Sequence, residues 1–593
     1  MIIGIDFESY YDKEYSLQKM PTHAYIRDER WRCLGCGFQF RTAEPFYVED
    51  PEPIFQKIDA YGWDDVTLVA HNASFDGSVL FERFGGRKPA HWIDTQLIAR
   101  WAVAQGRLPP EQSVSLAKLA PLVGLRKGDT WQAVHGGGQG LSGYGTEDVR
   151  IMMALLALFM KQQPSPDELT YMDMHIRMMT EPKLVTDRDM LAEATVVTED
   201  EVWLAKQLRK DAIMAKLLEA RGVPLEYKTT PKGKRKLALS KTDAFMQGLV
   251  QHDDPEVAQL ASLRLDANSN ITRTRALTLL NVGNPLPFPV LYYGAHTGRG
   301  SGVDNYNMQN MPAGGVLRQA IQAPAGHVLV VGDSSQIEPR VIGWRADEQR
   351  LLDIFRESDE TDDPKRDAYR LFGGEYMYGI EPEALTDFQR KVAKAGLLGL
   401  GFGQGWRGLQ AGAQQKGGLI IPDAEAQHAE SAYRGGFARI PAWWYTLKQL
   451  VLDQGYIELP DGRRLTYPDL RHEDMPDFHG ELKRTLAFDR PLIFSKGPKG
   501  KRQTVRFWHG VAAENDTQAV ARSVVFWQAM KMREDGIPIL GMSHDEVISM
   551  ATVAEAPSVK QRMEYWFKQV PPWAEGLPTN GKVVIGNNYA ECK

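Results

Sequence analysis

The chain has 593 residues, which at roughly 150 residues per domain allows about four domains and excludes a single small binding module. Apolar residues make up 43% and charged residues 25%, with 54 Gly and 34 Pro, the composition of an ordinary folded protein and not of a disordered or collagen-like one. Net charge is 70 minus 76, or -6, which excludes a protein that coats nucleic acid by bulk charge. No run of 18 apolar residues is present, so no membrane partner is expected. Asp6 and Glu8 fall where the apolar core of a signal peptide would lie, and a cytoplasmic protein is expected. Cys33, Cys36 and Cys592 cannot staple a fold of this size, which agrees with a reducing compartment.

Residues 1–165 alternate short apolar runs with helical patterns and read as α/β. The apolar strand at 2–5 runs into Asp6-Phe7-Glu8, and strand alternation puts both carboxylates on one face. Two such acids repel each other unless a cation sits between them. The run at 68–70 leads into His71-Asn72-Ala73-Ser74-Phe75-Asp76, read as a second strand end that delivers an acid. Tyr144 and Asp148 lie one turn apart at the start of a helix. Four carboxylates from three segments could therefore hold two divalent ions. Cys33 and Cys36 read as buried strand thiols, because no second Cys or His pair stands at zinc-ligand spacing.

Residues 166–290 are almost wholly helical in pattern and predict long antiparallel helices, one of them across 187–218. A loop at 227–236 interrupts them, with Lys228, Lys232, Lys234, Arg235 and Lys236 between residues 228 and 236 and no acid. A second acid-free basic stretch spans 496–506. Each is either a grip on a phosphate backbone or a solvated loop.

Strand signals return at 328–331, 537–542 and 547–550, separated by a mostly helical stretch at 361–455. The first ends in Gly332-Asp333-Ser334-Ser335-Gln336-Ile337-Glu338-Pro339-Arg340; the second bends through His544-Asp545-Glu546. If these strands pair, Asp333 and Asp545 meet at the sheet edge and bind two Mg²⁺ through oxygen. Between them, Arg390, Lys394 and Gly401 fall in one sector of a helix, where the two cations could grip a triphosphate. Gly396, Gly399, Gly401, Gly403 and Gly405 each cost about 1 kcal/mol against Ala if helical, so a sliding template base, a hinge or tight helix packing must require them.

Asp6-x-Glu8, Asn72-x-x-Phe75-Asp76 and Tyr144-x-x-x-Asp148 resemble the three motifs of the DEDD 3′-5′ exonucleases in their Tyr-containing form. The segments 333–340, 390–403 and 544–546 resemble motifs A, B and C of family A DNA polymerases, the family of bacterial DNA polymerase I. Thr297-Gly298-Arg299, Gln309-Asn310-Met311-Pro312, Asp461-Gly462-Arg463-Arg464 and Glu514-Asn515 with Gln518 add to the likeness, which spans nearly the whole chain. It implies an α/β and α+β multidomain protein: a ribonuclease-H-like exonuclease at 1–165, thumb at 166–290, palm at 291–360, fingers at 361–455 and the rest of the palm at 456–593. Its length leaves no room for a 5′-nuclease domain, as in phage replicative enzymes.

The resemblance also implies roles. Asp6, Glu8, Asp76 and Asp148 would hold Mg²⁺, or Mn²⁺ as a substitute, in the exonuclease, with Tyr144 orienting the water; Asp333 and Asp545 would hold the polymerase ions, with Glu546 auxiliary. Arg390 and Lys394 would contact the phosphates, Lys394 also protonating pyrophosphate. Gln336 and Glu338 would lie at the nucleotide, Glu338 crowding a ribose hydroxyl. Arg299 and Gln518 would check minor-groove geometry, where acceptors are nearly the same for every pair. His544 and the cations Lys232, Lys234, Arg235 and Lys236 would touch DNA. Leu398 replaces the family's usual aromatic, and Phe402 its usual Tyr. Primer-template DNA and deoxynucleoside triphosphates would be the partners of a monomer, with a replication helicase or processivity factor beside them. The rival readings are a single-subunit RNA polymerase and a stand-alone exonuclease with a DNA-binding C-terminal part.

Overall fold

The computed structural model of the chain describes residues 1–135, 140–196, 203, 207–208, 210–229, 235–240, 243–250, 252, 254–267, 271–311, 315–476, 481–495 and 501–592. Among them no helix is long and apolar enough to cross a membrane.

The first unit is built on a five-stranded sheet. β1 (Ile2–Ser9) lies at its centre, antiparallel to β2 (Cys33–Phe40) and parallel to β4 (Thr67–Ala70); β3 (Phe46–Val48) flanks β2, and β5 (His91–Asp94) runs parallel to β4. Parallel neighbours need a crossover, supplied between β4 and β5 by α1 (Ala73–Arg83). Ile3, Ile5 and Phe7 are buried in the core of this sheet. A second helix, α2 (Leu141–Met160), lies directly on β2. Two glycines permit this: a Cβ added at Gly37, which pairs with Asp6 in the sheet, would lie 2.6 Å from the Gly145 carbonyl oxygen. A Cβ at Gly145 would lie 2.7 Å from the Tyr47 ring.

α3 (Pro166–Thr180) starts cleanly, with Ser165 accepting from the Glu168 N–H and Pro166 at the first position. It was expected to open the thumb, yet it packs on the first sheet: Asp173 Oδ1 accepts from the Trp92 N–H at 2.9 Å. In place of one long helix across 187–218, the described residues form separate short helices, Arg188–Glu193 and Asp211–Glu219. Leu208, Met214, Leu218, Leu237, Met246 and Val257 give this region its own small core. The loop expected at 227–236 is a hairpin stem, β6 (Tyr227–Thr229) paired with β7 (Arg235–Leu237). Its cations are not acid-free in space: Lys228 pairs with Asp243 at 2.7 Å and Lys236 with Asp211 at 3.7 Å, while Arg235 lies over the Tyr227 ring. Lys232 and Lys234 lie outside the described residues.

The second sheet has four antiparallel strands in the order β9-β10-β8-β11, with β8 (His327–Ser334), β9 (Gly541–Ser543), β10 (Glu546–Thr552) and β11 (Gly581–Gly586). β8 is therefore interior, and Asp333 sits at the end of a central strand instead of at the sheet edge. A helical unit follows β8 in sequence and contains α4 (Asp387–Gly399), which opens on a capping box between Thr386 and Gln389. α5 (His509–Glu534) packs against the helix Ala556–Phe567, which in turn lies on the second sheet.

A buried ionic knot joins these units. Glu168 on α3 accepts from Arg522 on α5 at 2.5 and 3.2 Å and from the Tyr292 hydroxyl. Arg463 lies 3.6 Å from Glu168 and binds Asp461, Ser523 and the Tyr293 hydroxyl. Burial alone would raise the Glu168 carboxyl, but Arg522 and Arg463 hold it below its ordinary value. A depressed carboxyl stabilises the fold above its unfolded pKa and loses that contribution as pH falls. Glu168→Gln, which leaves Arg522 buried without its counter-charge, should cost roughly 3–5 kcal/mol at neutral pH, and the gap to the natural chain should shrink in acid, as read from urea unfolding midpoints.

Candidate functional site

One set of acids comes within metal-ligand reach, and a second stands at neighbouring strand ends. In the first, carboxylate oxygens of Asp6, Glu8 and Asp148 lie within 4.8 Å of one another. Strand alternation presents Asp6 and Glu8 from β1, and the glycine contact brings α2 close enough to present Asp148. Asp76 lies outside that group but close enough for the Asp6 charge to act on it. It comes from the first turn of α1 and not from a strand end, because Asn72 turns left-handed at φ 77° and starts the helix early. Its Oδ1 accepts from the Phe7 N–H at 2.9 Å. Burial pushes Asp6 up to about 6, with Lys127 pulling the other way. Burial and then the Asp6 charge raise both Glu8 and Asp76. Such crowding of like charges calls for a cation. The donors are all oxygen, and the buried Asp148 Oδ1 has no hydrogen-bond partner, so the set suits a hard divalent ion such as Mg²⁺.

Tyr144 lies one turn before Asp148, as its spacing predicts, and its hydroxyl is 2.6 Å from Thr130 Oγ1. Lys127 forms an ion pair with Asp148. Neither Lys127 nor Thr130 carried a sequence signal, since both stand in an unpatterned segment. Cys36 is fully buried on β2, and Cys33 is half-buried beside it.

In the second set, Asp333 pairs in register with Glu546, and the Ser334 N–H donates to the Asp545 carbonyl at 3.0 Å. Asp545 occupies the two-residue bend between β9 and β10, made possible by His544 at φ 60°. Asp333 and Asp545 thus stand at neighbouring strand ends, and their carboxylates are again oxygen donors suited to Mg²⁺. Burial raises Asp545; burial and then Arg299 lower His544. Glu546 is buried and accepts from the Tyr589 hydroxyl. Tyr589 was beyond sequence reasoning, as it lies more than forty positions from its partner.

The turn after β8 is fastened by Arg340, which is fully buried, bonds both Asp359 oxygens at 2.5 and 2.8 Å and donates to the Ser335 carbonyl. Gln336 caps the next helix in a left-handed conformation. Glu338 and Arg299, given separate roles by the motifs, form an ion pair at 2.6 Å. On α4, Arg390 pairs with Asp367 at 2.6 Å, and Arg390 and Lys394 both lie 5.5 Å from the centre of the Tyr369 ring. Leu398 continues their exposed side, and Phe402 is half-buried. Gln518 on α5 donates to Glu514 at 3.2 Å.

Gly401 departs from the expected helix sector. α4 ends at Gly399 and tightens into a 3₁₀ turn at Leu400–Phe402. A Cβ at Gly401 would lie 2.6 Å from Ile342, and the carbonyl of Gly401 accepts from the Trp444 indole at 2.8 Å. Of the open readings for these glycines, tight packing holds at this one.

A sequence model of DNA polymerase family A matches residues 209–487. The thermostable DNA polymerase I of Thermus thermophilus is 26% identical over 394 residues, covering 65% of this chain and 41% of that protein. The DNA polymerase I of Pseudomonas aeruginosa is 33% identical over 186 residues, covering 30% and 18%. The DNA polymerase of Bacillus phage SP02 is 25% identical over 299 residues, covering 46% and 43%. The chain spans less than half the length of these relatives. In structure, it is similar to the POL domain of Pol1 from M. smegmatis, solved in complex with DNA primer-template and dNTP, with a TM-score of 0.65, 17% identity, and coverage of 100% of this chain and 96% of that one. The fold is that of a right-hand polymerase domain. Over residues 209–487 the chain matches DNA polymerase family A.

Gly401→Ala should overpack the contact with Ile342 and lower stability by about 1–3 kcal/mol, measured as a fall in the midpoint of chemical unfolding.

Proposed function

We propose that the chain is a template-directed DNA polymerase with a separate 3′-5′ proofreading exonuclease site. The observation that carries this is the presence of two acid sets on two different sheets: Asp333, Asp545 and Glu546 at neighbouring strand ends of one, and Asp6, Glu8 and Asp148 gathered on the other with Asp76 beside them. The strand order of the first sheet, mixed with one antiparallel side, supports a ribonuclease-H-like exonuclease, and the primer-template and dNTP bound by the M. smegmatis relative support the same ligands here. The phage relative agrees with a phage replicative enzyme.

In the polymerase site Asp333 and Asp545 hold two divalent ions, which when bound lower the pKa of the primer 3′-hydroxyl and neutralise the triphosphate. Glu546, held by Tyr589, supports them from the side. Arg390 and Lys394 face the phosphates from α4, and Lys394 gives a proton to the departing pyrophosphate. Glu338 crowds the sugar, while Arg299 and Gln518 approach the minor groove and His544 the primer. Arg299 exchanges Glu338 for the base edge as DNA enters. In the exonuclease site the four acids hold the ions, and Tyr144 orients the attacking water.

Asp545→Asn should lower primer extension at least about a hundredfold and leave trimming of single strands intact, whereas Asp6→Ala with Glu8→Ala should do the reverse; unchanged trimming in the double variant would falsify the exonuclease assignment. Glu338→Ala should raise ribonucleotide against deoxynucleotide incorporation roughly tenfold or more, measured by single-nucleotide insertion. A natural chain that prefers ribonucleotides would point to an RNA polymerase instead.

A further inference from the structure

The acid cage of the first sheet contains a cation that none of these roles uses. Lys127 stands between the turn Ala120–Val123 and the helix Thr130–His135. Its side chain is only 16% exposed, its ammonium pairs with Asp148, and it lies 4.2 Å from the centre of the Tyr144 ring. Burial lowers its pKa, and the Asp6 and Glu8 charges oppose that shift. The segment that carries it is fastened to the same helix: Thr130 holds the Tyr144 hydroxyl, and a Cβ at Gly128 would lie 3.3 Å from the Tyr144 ring. The ammonium is thereby aimed into the cage and kept from wandering into solvent.

A lysine among three carboxylates compensates the same charge that a divalent ion would compensate. The two cations repel each other and compete for Asp148. We propose that Lys127 is a tethered counter-cation of the cage, and that a divalent ion enters by displacing its ammonium. The inference rests on the reading of the cage as a metal-dependent hydrolytic site. A group held on a short tether acts at an effective concentration in the millimolar range, so it weakens ion binding without blocking it. The trimming site is then restrained by its own protein until ion and strand arrive together.

The test is Mn²⁺ binding to the full chain without DNA, by titration calorimetry, in an Asp333→Asn/Asp545→Asn background so that only the cage is read. Lys127→Met should bind Mn²⁺ about tenfold more tightly, and Lys127→Arg, which keeps a cation on the segment, should bind as the background does. In EDTA, Lys127→Met should melt at a lower temperature than the background, and saturating Mn²⁺ should erase the difference. Unchanged or weaker binding by Lys127→Met overturns the proposal, as does an equal gain in Lys127→Arg, which would trace the effect to a disturbed segment. If the background itself binds no Mn²⁺, the reading of the cage as a metal site falls, and this inference with it.

Discussion

A carboxylate withdrawn from water needs its counter-charge fixed in place, and Glu168 obtains two, from Arg463 and Arg522, the latter 354 positions away in the chain. That constraint sets the frame of the molecule. The helix bearing Glu168 is bolted to the first sheet through Asp173, and the helix bearing Arg522 packs on the helix that covers the second sheet. Arg100 adds donations to the Tyr292 and Tyr293 carbonyls, and Gln105 bonds the Tyr293 hydroxyl. The two acid sets are therefore held by one framework.

The sets differ in physical character. Asp333 is open to solvent at a strand end, where incoming charge can approach directly. Glu8, Asp76 and Asp148 are buried, so their mutual repulsion must be met from within. This difference explains why an internal lysine accompanies the buried set.

Much of this arrangement was legible in the sequence, because it rests on local periodicity. Alternation along β1 placed Asp6 and Glu8 together, helical spacing placed Tyr144 above Asp148, and the bend at His544-Asp545 followed from two flanking strands. What escaped depends on contacts between distant segments. Asp76 arrives on a helix because Asn72 adopts a left-handed conformation, which no pattern announced. Lys127 and Tyr589 act on acids contributed by other segments, and the cations of the 227–237 hairpin find Asp243 and Asp211 only in space. The pairing of Arg299 with Glu338 likewise joins residues that motif reading treats one at a time.

The meeting of Gly37 with Gly145 has a further consequence. Where the helix meets the strand, bare backbone rests on bare backbone, like the jaws of a caliper closed to zero. Since Asp6 is opposite Gly37 and Asp148 follows Gly145 by less than one turn, a methyl at Gly37 would press on the Gly145 carbonyl and one at Gly145 on the Tyr47 ring, and either would push the helix off the sheet and spread the acids apart. A lineage could thus open the cage while every carboxylate stays in place, and an inventory of acids alone would miss the change.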